Sequence, residues 1–192
     1  LVACADYVLQ SEKGALVSNL SSSRALADLA NDCGVDYHAS AVGEVHVVAK
    51  MKEVNAVIGG EGNGGVILPA LHYGRDALVG IALFLSHLAK EKISVSALKA
   101  RYASYVMDKK KIELSPSWDA DALLAAVAKT FADARVTTID GVKIDFVDSW
   151  IHLRKSNTEP IIRLYGEAKT QEKMADKINT IEAAIAAFVA ST

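Results

Sequence analysis

Ten consecutive residues near the C-terminus, Arg154-Lys155-Ser156-Asn157-Thr158-Glu159-Pro160-Ile161-Ile162-Arg163, bring together two guanidinium groups, an ammonium, two hydroxyls and an amide. That inventory of fixed forks, hydroxyls and loop N–H groups suits a phosphate. Pro160 pins the loop exit and directs the strand that follows. Strand alternation puts Arg163 on the face of Ile161 and Tyr165, from which it can reach back to the loop. Glu159 would weaken an anion site if it faced inward, so it is read as bonded to loop N–H groups or paired with an arginine. The competing reading is a solvated turn with ordinary surface charges, and the density of donors favours the anion.

A second loop, Gly60-Glu61-Gly62-Asn63-Gly64-Gly65, combines conformational freedom with a carboxylate and an amide. Glycines let a ligand approach the backbone. Glu61 and Asn63 supply the acceptors and donors that sugar hydroxyls need. The loop follows a strand-like segment, where ligands of open α/β sheets sit. A plain turn between strand and helix is the alternative. The dinucleotide fingerprint does not fit, because its spacing differs and Glu61 would oppose a pyrophosphate. His38, His46, His72, His87 and His152 form no ligand pair at helical or hairpin spacing and are read as structural or surface residues. Cys4 and Cys33 read as small core residues, and Trp118 and Trp150 as packing residues. No catalytic residue and no metal site is assigned.

The elements that must position these loops fall into two patterns. In the first half, helices and strands alternate. Leu1–Leu9 is helix-like, Ala15–Asn19 a strand, and Ala25–Ala30 a helix entered from Ser21-Ser22-Ser23 and ended by Gly34. Val35–Ala39 reads as a strand, Val42-Gly43 as a turn, Val45–Met51 as a helix and Val54–Ile58 as a strand. Asp76 caps a helix over Ala77–Ala89, and Ile93–Met107 reads as one more helix. Such alternation implies crossovers and a mostly parallel sheet. The run Lys109-Lys110-Lys111 reads as a solvated surface at a domain boundary. Beyond it, Ser117 or Asp119 caps a helix to Ala134, and strands over Arg135–Ile139 and Val142–Val147 flank the hairpin signal Asp140-Gly141. Strands at Trp150–Leu153 and Ile161–Glu167 follow. The last helix, capped by Thr170, carries the stripe Met174, Ile178, Ile181, Ile185 and Phe188. The fold class expected is α/β: a mixed, mostly parallel α/β/α domain over 1–107, then a small α+β domain over 108–192 with a four-stranded antiparallel sheet packed by helices.

Composition bounds what such a molecule does. The 192 residues are 51% hydrophobic and 23% charged, ordinary for a globular chain and unlike a disordered one. A body of this size buries roughly 70% of its unfolded surface without staples. With 21 basic and 23 acidic residues the net charge is -2, which leaves no electrostatic footprint for nucleic acid or an anionic membrane. No apolar run approaches the ~18–20 residues of a membrane span. Two cysteines make no disulfide framework, and a reducing cytoplasm is the expected compartment. The chain opens at Leu1 inside an amphipathic pattern, with neither initiator methionine nor leader; it is read as a fragment of a longer protein.

Together the two loops resemble those of the α-D-phosphohexomutases, the family of phosphoglucomutase, phosphomannomutase and phosphoglucosamine mutase. The family's phosphate loop, Arg-x-Ser-x-Thr-Glu-Pro-x-x-Arg, is matched at every fixed position from Arg154 through Ser156, Thr158, Glu159 and Pro160 to Arg163. Leu164-Tyr165-Gly166-Glu167-Ala168 continues the likeness. Its sugar loop, Gly-Glu-x-Ser-Gly-His, keeps Glu61 but has Asn63 for the serine and Gly65 for the histidine. Val42-Gly43-Glu44 resembles a further turn of the family, with Glu44 where some members carry histidine. The resemblance implies domains three and four of a four-domain enzyme. Gly43, Glu61 and Asn63 would hold the sugar, and Arg154, Ser156, Asn157, Thr158 and Arg163 the non-reacting phosphate. It also implies interconversion of hexose 6-phosphate and hexose 1-phosphate through a hexose 1,6-bisphosphate, with glucosamine phosphate the first substrate choice and mannose and glucose phosphates next. The phosphoserine and the Mg²⁺ ligands would belong to the two missing N-terminal domains, so this fragment alone should be inactive. The rivals are a non-catalytic sugar-phosphate-binding module and a structural interaction module.

Overall fold

A computed structural model describes residues 1–115, 118–156 and 158–190. The chain divides into two compact units, Leu1–Ser104 and Tyr105–Thr192.

In the first unit, successive side chains of β1 (Leu16–Asn19) serve opposite faces of a sheet. Leu16 joins a core with Leu9 of α1 (Val2–Leu9) and with Leu26 and Leu29 of α2 (Ala25–Cys33). Val17 joins Val47 and Met51 of α3 (Glu44–Glu53) on the other side. β2 (Tyr37–Ser40) and β3 (Ile58–Gly60) flank β1 in parallel, and β4 (Val66–Ile67) lies antiparallel on β3, giving the order β2-β1-β3-β4. Leu83 and Phe84 of α4 (Ala77–Glu91) pack on the core of α1 and α2. The result is three layers, helices on both faces of a mixed sheet, as parallel strands require. Gly34 ends α2 in the left-handed conformation and the Asp76 carboxylate accepts from the Val79 N–H at the start of α4, both as the sequence indicated.

Three expectations need correction here. The strand expected at Val54–Ile58 is displaced, because α3 runs on to Glu53 and Asn55 turns the chain with φ 50° before β3 begins. The helix expected over Ile93–Met107 shrinks to α5 (Val95–Lys99). Beyond it, the Tyr102 hydroxyl donates to the Asp6 carboxylate at 2.7 Å. Burial and that carboxylate push the Tyr102 pKa upward. Nearby, buried His87 meets the Ala3 carbonyl through Nδ1 at 2.9 Å and the Gln10 amide through Nε2 at 3.2 Å, so α1, α4 and residue 102 share one polar seam.

The third correction concerns the second unit, whose sheet has five strands. β5 (Val106–Glu113) is the edge strand, and it contains the lysine run read as a plain solvated surface. It is antiparallel to β9 (Ile161–Ala168) over eight registered pairs. Then come β8 (Ser149–Lys155), β7 (Val142–Asp145) and β6 (Arg135–Thr137), in the order β5-β9-β8-β7-β6. Charged side chains on an edge strand hinder edge-to-edge pairing, and they also hide its alternation from a hydrophobic pattern. One face of this sheet, with Ile151, Leu153, Ile162 and Leu164, packs on α6 (Ala120–Thr130) and α7 (Gln171–Ala190). The expected stripe Met174, Ile178, Ile181 and Ile185 is buried there, and Asp119 caps α6 as anticipated. Ser117, the other cap considered, lies outside the described residues. No helix among the described residues is long and apolar enough to cross a membrane.

Candidate functional site

The glycine loop connects two antiparallel strands, β3 and β4, rather than a strand and a helix. The Glu61 N–H donates to the Gly65 carbonyl at 2.9 Å, and the Gly64 N–H to the Glu61 carbonyl at 3.1 Å. Gly64 needs its glycine for conformation, with φ +101°. The loop leaves the sheet where β1 and β3 end, the ligand-binding edge of parallel sheets.

Glu61 is 5% exposed. A buried carboxylate requires hydrogen-bonded or charged partners, and it has both. The Asn19 amide donates to its Oε1 at 2.8 Å, and Arg75 Nη1 lies 3.3 Å from its Oε2. Asn19 in turn accepts the Ser22 hydroxyl at 2.9 Å, and Ser22 accepts the Gly62 N–H at 2.9 Å. Asn63 folds onto its own loop, accepting the Gly65 N–H through Oδ1 at 3.2 Å. Gly43, at φ +120°, precedes α3 and sets the direction in which Glu44 leaves. Glu44 accepts from the Arg75 backbone N–H at 2.9 Å and from Arg75 Nε at 2.8 Å. These bonds hold the Glu44 carboxyl below the usual carboxylate range. Glu44, Asn63, Gly64, Gly65, Arg75, Asp76 and Ala77 line an open groove of 490 Å³. Thus Glu61 and Asn63 of the expected residues share one loop, while Gly43 is tied to it only through its neighbour Glu44, which lines the same groove as Asn63. Asn19, Glu44 and Arg75 join them unforeseen as partners. Only the 31-residue separation of Arg75 from Glu44 is visible in sequence, and separation alone signals nothing.

The phosphate loop joins β8 to β9. Register places Arg154 directly opposite Arg163, and Arg163 opposite Lys111 on β5. Opposed residues share a sheet face, so three cations stand in a row on the face turned away from α6 and α7. Like charges so placed repel unless an anion intervenes. Two carboxylates fill that role within the chain. Glu159 bridges Lys111 at 3.0 Å and Arg163 at 3.1 Å, bearing out its expected pairing with an arginine. Asp140 lies 3.3 Å from Arg154 Nε. It sits beside Arg154 because Gly141, at φ +69°, packs so tightly on the Leu153 carbonyl and Arg154 that no Cβ fits. Ser156 accepts from Arg163 Nη2 and from the Thr158 N–H, both at a long 3.4 Å. Arg154, Ser156, Thr158 and Arg163 are therefore gathered on one loop and its two strand ends. Asn157 lies outside the described residues. Lys111 is the member that sequence reasoning missed, because its place depends on the unrecognised strand β5. No group of three or more His, Cys, Asp or Glu side chains among the described residues could hold a metal.

Comparison with known proteins agrees with both halves. Residues 1–105 match the family model "Phosphoglucomutase/phosphomannomutase, alpha/beta/alpha domain III", and residues 103–184 match that of the family's C-terminal domain. A phosphoglucosamine/phosphogalactosamine mutase of Sulfurisphaera tokodaii is 33% identical over 87% of this chain and 37% of its own length. A phosphoglucomutase/phosphomannomutase of Thermococcus kodakarensis is 37% identical over 88% of this chain and 37% of its own. The crystal structure of a phosphoglucomutase/phosphomannomutase family protein from Burkholderia thailandensis superimposes with a TM-score of 0.82 at 27% identity, covering 97% of this chain and 40% of that one. The chain thus spans two fifths or less of the length of these curated relatives. It belongs to the phosphoglucomutase/phosphomannomutase family and carries that family's domain III and C-terminal domain.

Proposed function

We propose that this chain supplies the sugar-holding and phosphate-holding loops of a phosphohexomutase that interconverts hexose 6-phosphate and hexose 1-phosphate through a 1,6-bisphosphate. The observation that carries the reading is the in-register opposition of Arg154 and Arg163 beside Ser156 and Thr158. That opposition calls for anions beside the guanidinium groups; Asp140 and Glu159 supply them within the chain, and a phosphate dianion would satisfy both forks and the hydroxyls at once. Glu61 and Asn63 offer acceptors to neutral hydroxyls. Glucosamine phosphate is the first substrate, followed by mannose and glucose phosphates, an order supported by the aminosugar named for the Sulfurisphaera tokodaii relative.

The work of these residues is positioning, which supplies several kcal/mol of a phosphoryl-transfer barrier. The nucleophilic phosphoserine and the Mg²⁺ ligands belong, on this reading, to preceding domains of the same polypeptide. Among the described residues no group of three or more His, Cys, Asp or Glu side chains could hold Mg²⁺. The two free cysteines support the reading of a reducing, cytoplasmic compartment. A second reading, a sugar-phosphate-binding module without mutase chemistry, is favoured by Gly65 standing where the family's sugar loop commonly has histidine and Glu44 where some members carry one.

Calorimetric titration of the purified chain with glucosamine 6-phosphate, glucose 6-phosphate and mannose 6-phosphate tests the proposal. The expected outcome is saturable binding, strongest for the aminosugar, with no turnover by the chain alone. Absence of binding to all three refutes it. Addition of the upstream domains separates the two readings, since only the mutase reading expects turnover.

A further inference from the structure

We infer that Arg75 is a positioning residue of the sugar site and that position 65 is glycine in order to admit it. The inference rests on the groove in the first unit being the sugar site.

Arg75 spans two carboxylates on separate elements. Its Nε and backbone N–H hold Glu44 at the start of α3, and its Nη1 reaches Glu61 in the β3–β4 loop. A planar guanidinium can make these bonds at once in fixed directions, which a lysine ammonium cannot. Asn19 restrains Glu61 Oε1 from within the sheet, and Arg75 restrains Oε2 from the groove side. The acceptor offered to a sugar hydroxyl is therefore fixed at both oxygens before any ligand arrives. Such preorganisation lowers the ordering cost of binding.

Gly65 supplies the independent observation. Its backbone lies outside the left-handed region, so conformation does not demand glycine there; Gly64, at φ +101° with open space around a Cβ, is the contrasting case. Space does demand it. A Cβ on Gly65 would stand 2.7 Å from Arg75 Cδ and 3.1 Å from Cγ. The stem of Arg75 thus fills the volume that any side chain at 65 would need. A larger residue at 65 and the clamp formed by Arg75 exclude each other, which makes the two positions one coupled unit.

The experiment is a double-mutant cycle on the whole chain, with Arg75→Ala, Gly65→Ala and the double variant, read by affinity for glucosamine 6-phosphate and for inorganic phosphate. Arg75→Ala should weaken glucosamine 6-phosphate about ten-fold, the scale of one charge-assisted hydrogen bond. Its affinity for inorganic phosphate, held by the other unit, should stay unchanged. Gly65→Ala should weaken the sugar phosphate in the wild-type background and change nothing once Arg75 is alanine, the signature of coupled sites. The side-chain amide resonances of Asn19 should shift in both single variants, reporting the released Glu61 carboxylate in protein that is still folded. Equal binding by wild type and Arg75→Ala, or an equal cost of Gly65→Ala in both backgrounds, overturns the inference and leaves the proposed function standing. Failure of the wild-type chain to bind any hexose phosphate overturns both.

Discussion

In the glycine loop, the carboxylate is held from inside the molecule: Glu61 is almost wholly buried, and Asn19, Ser22 and Arg75 surround the loop with bonds mostly near 2.9 Å. The phosphate loop is built differently, on two strand ends, with its own hydroxyls and guanidinium groups 3.4 Å apart and its cations lent to Glu159 and Asp140. The contrast follows from the ligands each loop would take. A neutral hydroxyl gains little from the protein, so the acceptor must already be in place when it arrives. A phosphate brings two charges and enough energy to displace a half-exposed carboxylate such as Glu159. On the proposed reading, one loop would be held firmly because its ligand is weak, and the other loosely because its ligand would organise it.

Breaking the phosphate side should have the largest effect on binding. Arg154→Ala is expected to weaken inorganic phosphate and glucosamine 6-phosphate by roughly 1.5–3 kcal/mol, the range for a hydrogen bond to a charged group, as measured by calorimetric titration. Arg154 lies at the sheet margin, and its cation pairs, among the described residues, with a single carboxylate, Asp140, at 3.3 Å, so the melting temperature should change less than in a variant that strips a partner from buried Glu61. Breaking the sugar side should appear instead in stability. Asn19→Ala removes the inner partner of a buried carboxylate and is expected to cost about 1–3 kcal/mol, as measured by urea unfolding. A comparable loss of stability in Arg154→Ala would erase the distinction between the loops.

The phosphate loop was legible in sequence because all its donors but one lie within ten residues, so spacing alone assembles the site. The helices were legible where a cap and a stripe coincided, as at Asp76 and along Met174, Ile178, Ile181 and Ile185. What stayed hidden was made by long-range pairing. Lys111 reaches the row of arginines only through the register of β5 on β9, and three adjacent lysines disguise that strand as a surface run. Arg75 meets Glu44 and Glu61 only because α3, the β3–β4 loop and the start of α4 come together at one edge of the sheet. The two-residue strand β4 is too short to leave a period of its own, and without it the glycine loop reads as an open turn rather than a hairpin.

Smaller effects sharpen the contrast. If Glu159 occupies the place a bound phosphate would take, Glu159→Gln should raise phosphate affinity. The gain is expected to be about 0.2–1 kcal/mol, as for exposed ion pairs, and to shrink at high salt, where the carboxylate is already screened. A titration at two salt concentrations reads it. A loss of affinity would instead mean that Glu159 holds Arg163 in place, making the phosphate loop as preorganised as the sugar loop.

The smallest effect concerns what lies beneath Arg154. His152, 1% exposed, donates from Nε2 to the Asp140 carbonyl at 2.6 Å, and so helps seat the turn whose carboxylate meets Arg154. Burial lowers its pKa from the ordinary 6.5, with Lys143 and Arg154 adding to the shift and the Asp140 carbonyl and carboxylate opposing it. The unfolded chain therefore takes up a proton at this residue at a higher pH than the folded chain does. The stability contributed by neutral His152 is fully present above the unfolded pKa and is lost as pH falls below it towards the folded value. Melting temperatures of the chain should accordingly fall between about pH 7 and about pH 5, and His152→Gln, which cannot take up that proton, should flatten the slope. Phosphate affinity should follow the same slope if the Asp140 turn carries the Arg154 seat with it. If affinity stays constant while the melting temperature falls, Arg154 is held by the strand alone, and the loose loop owes nothing to the buried histidine below it.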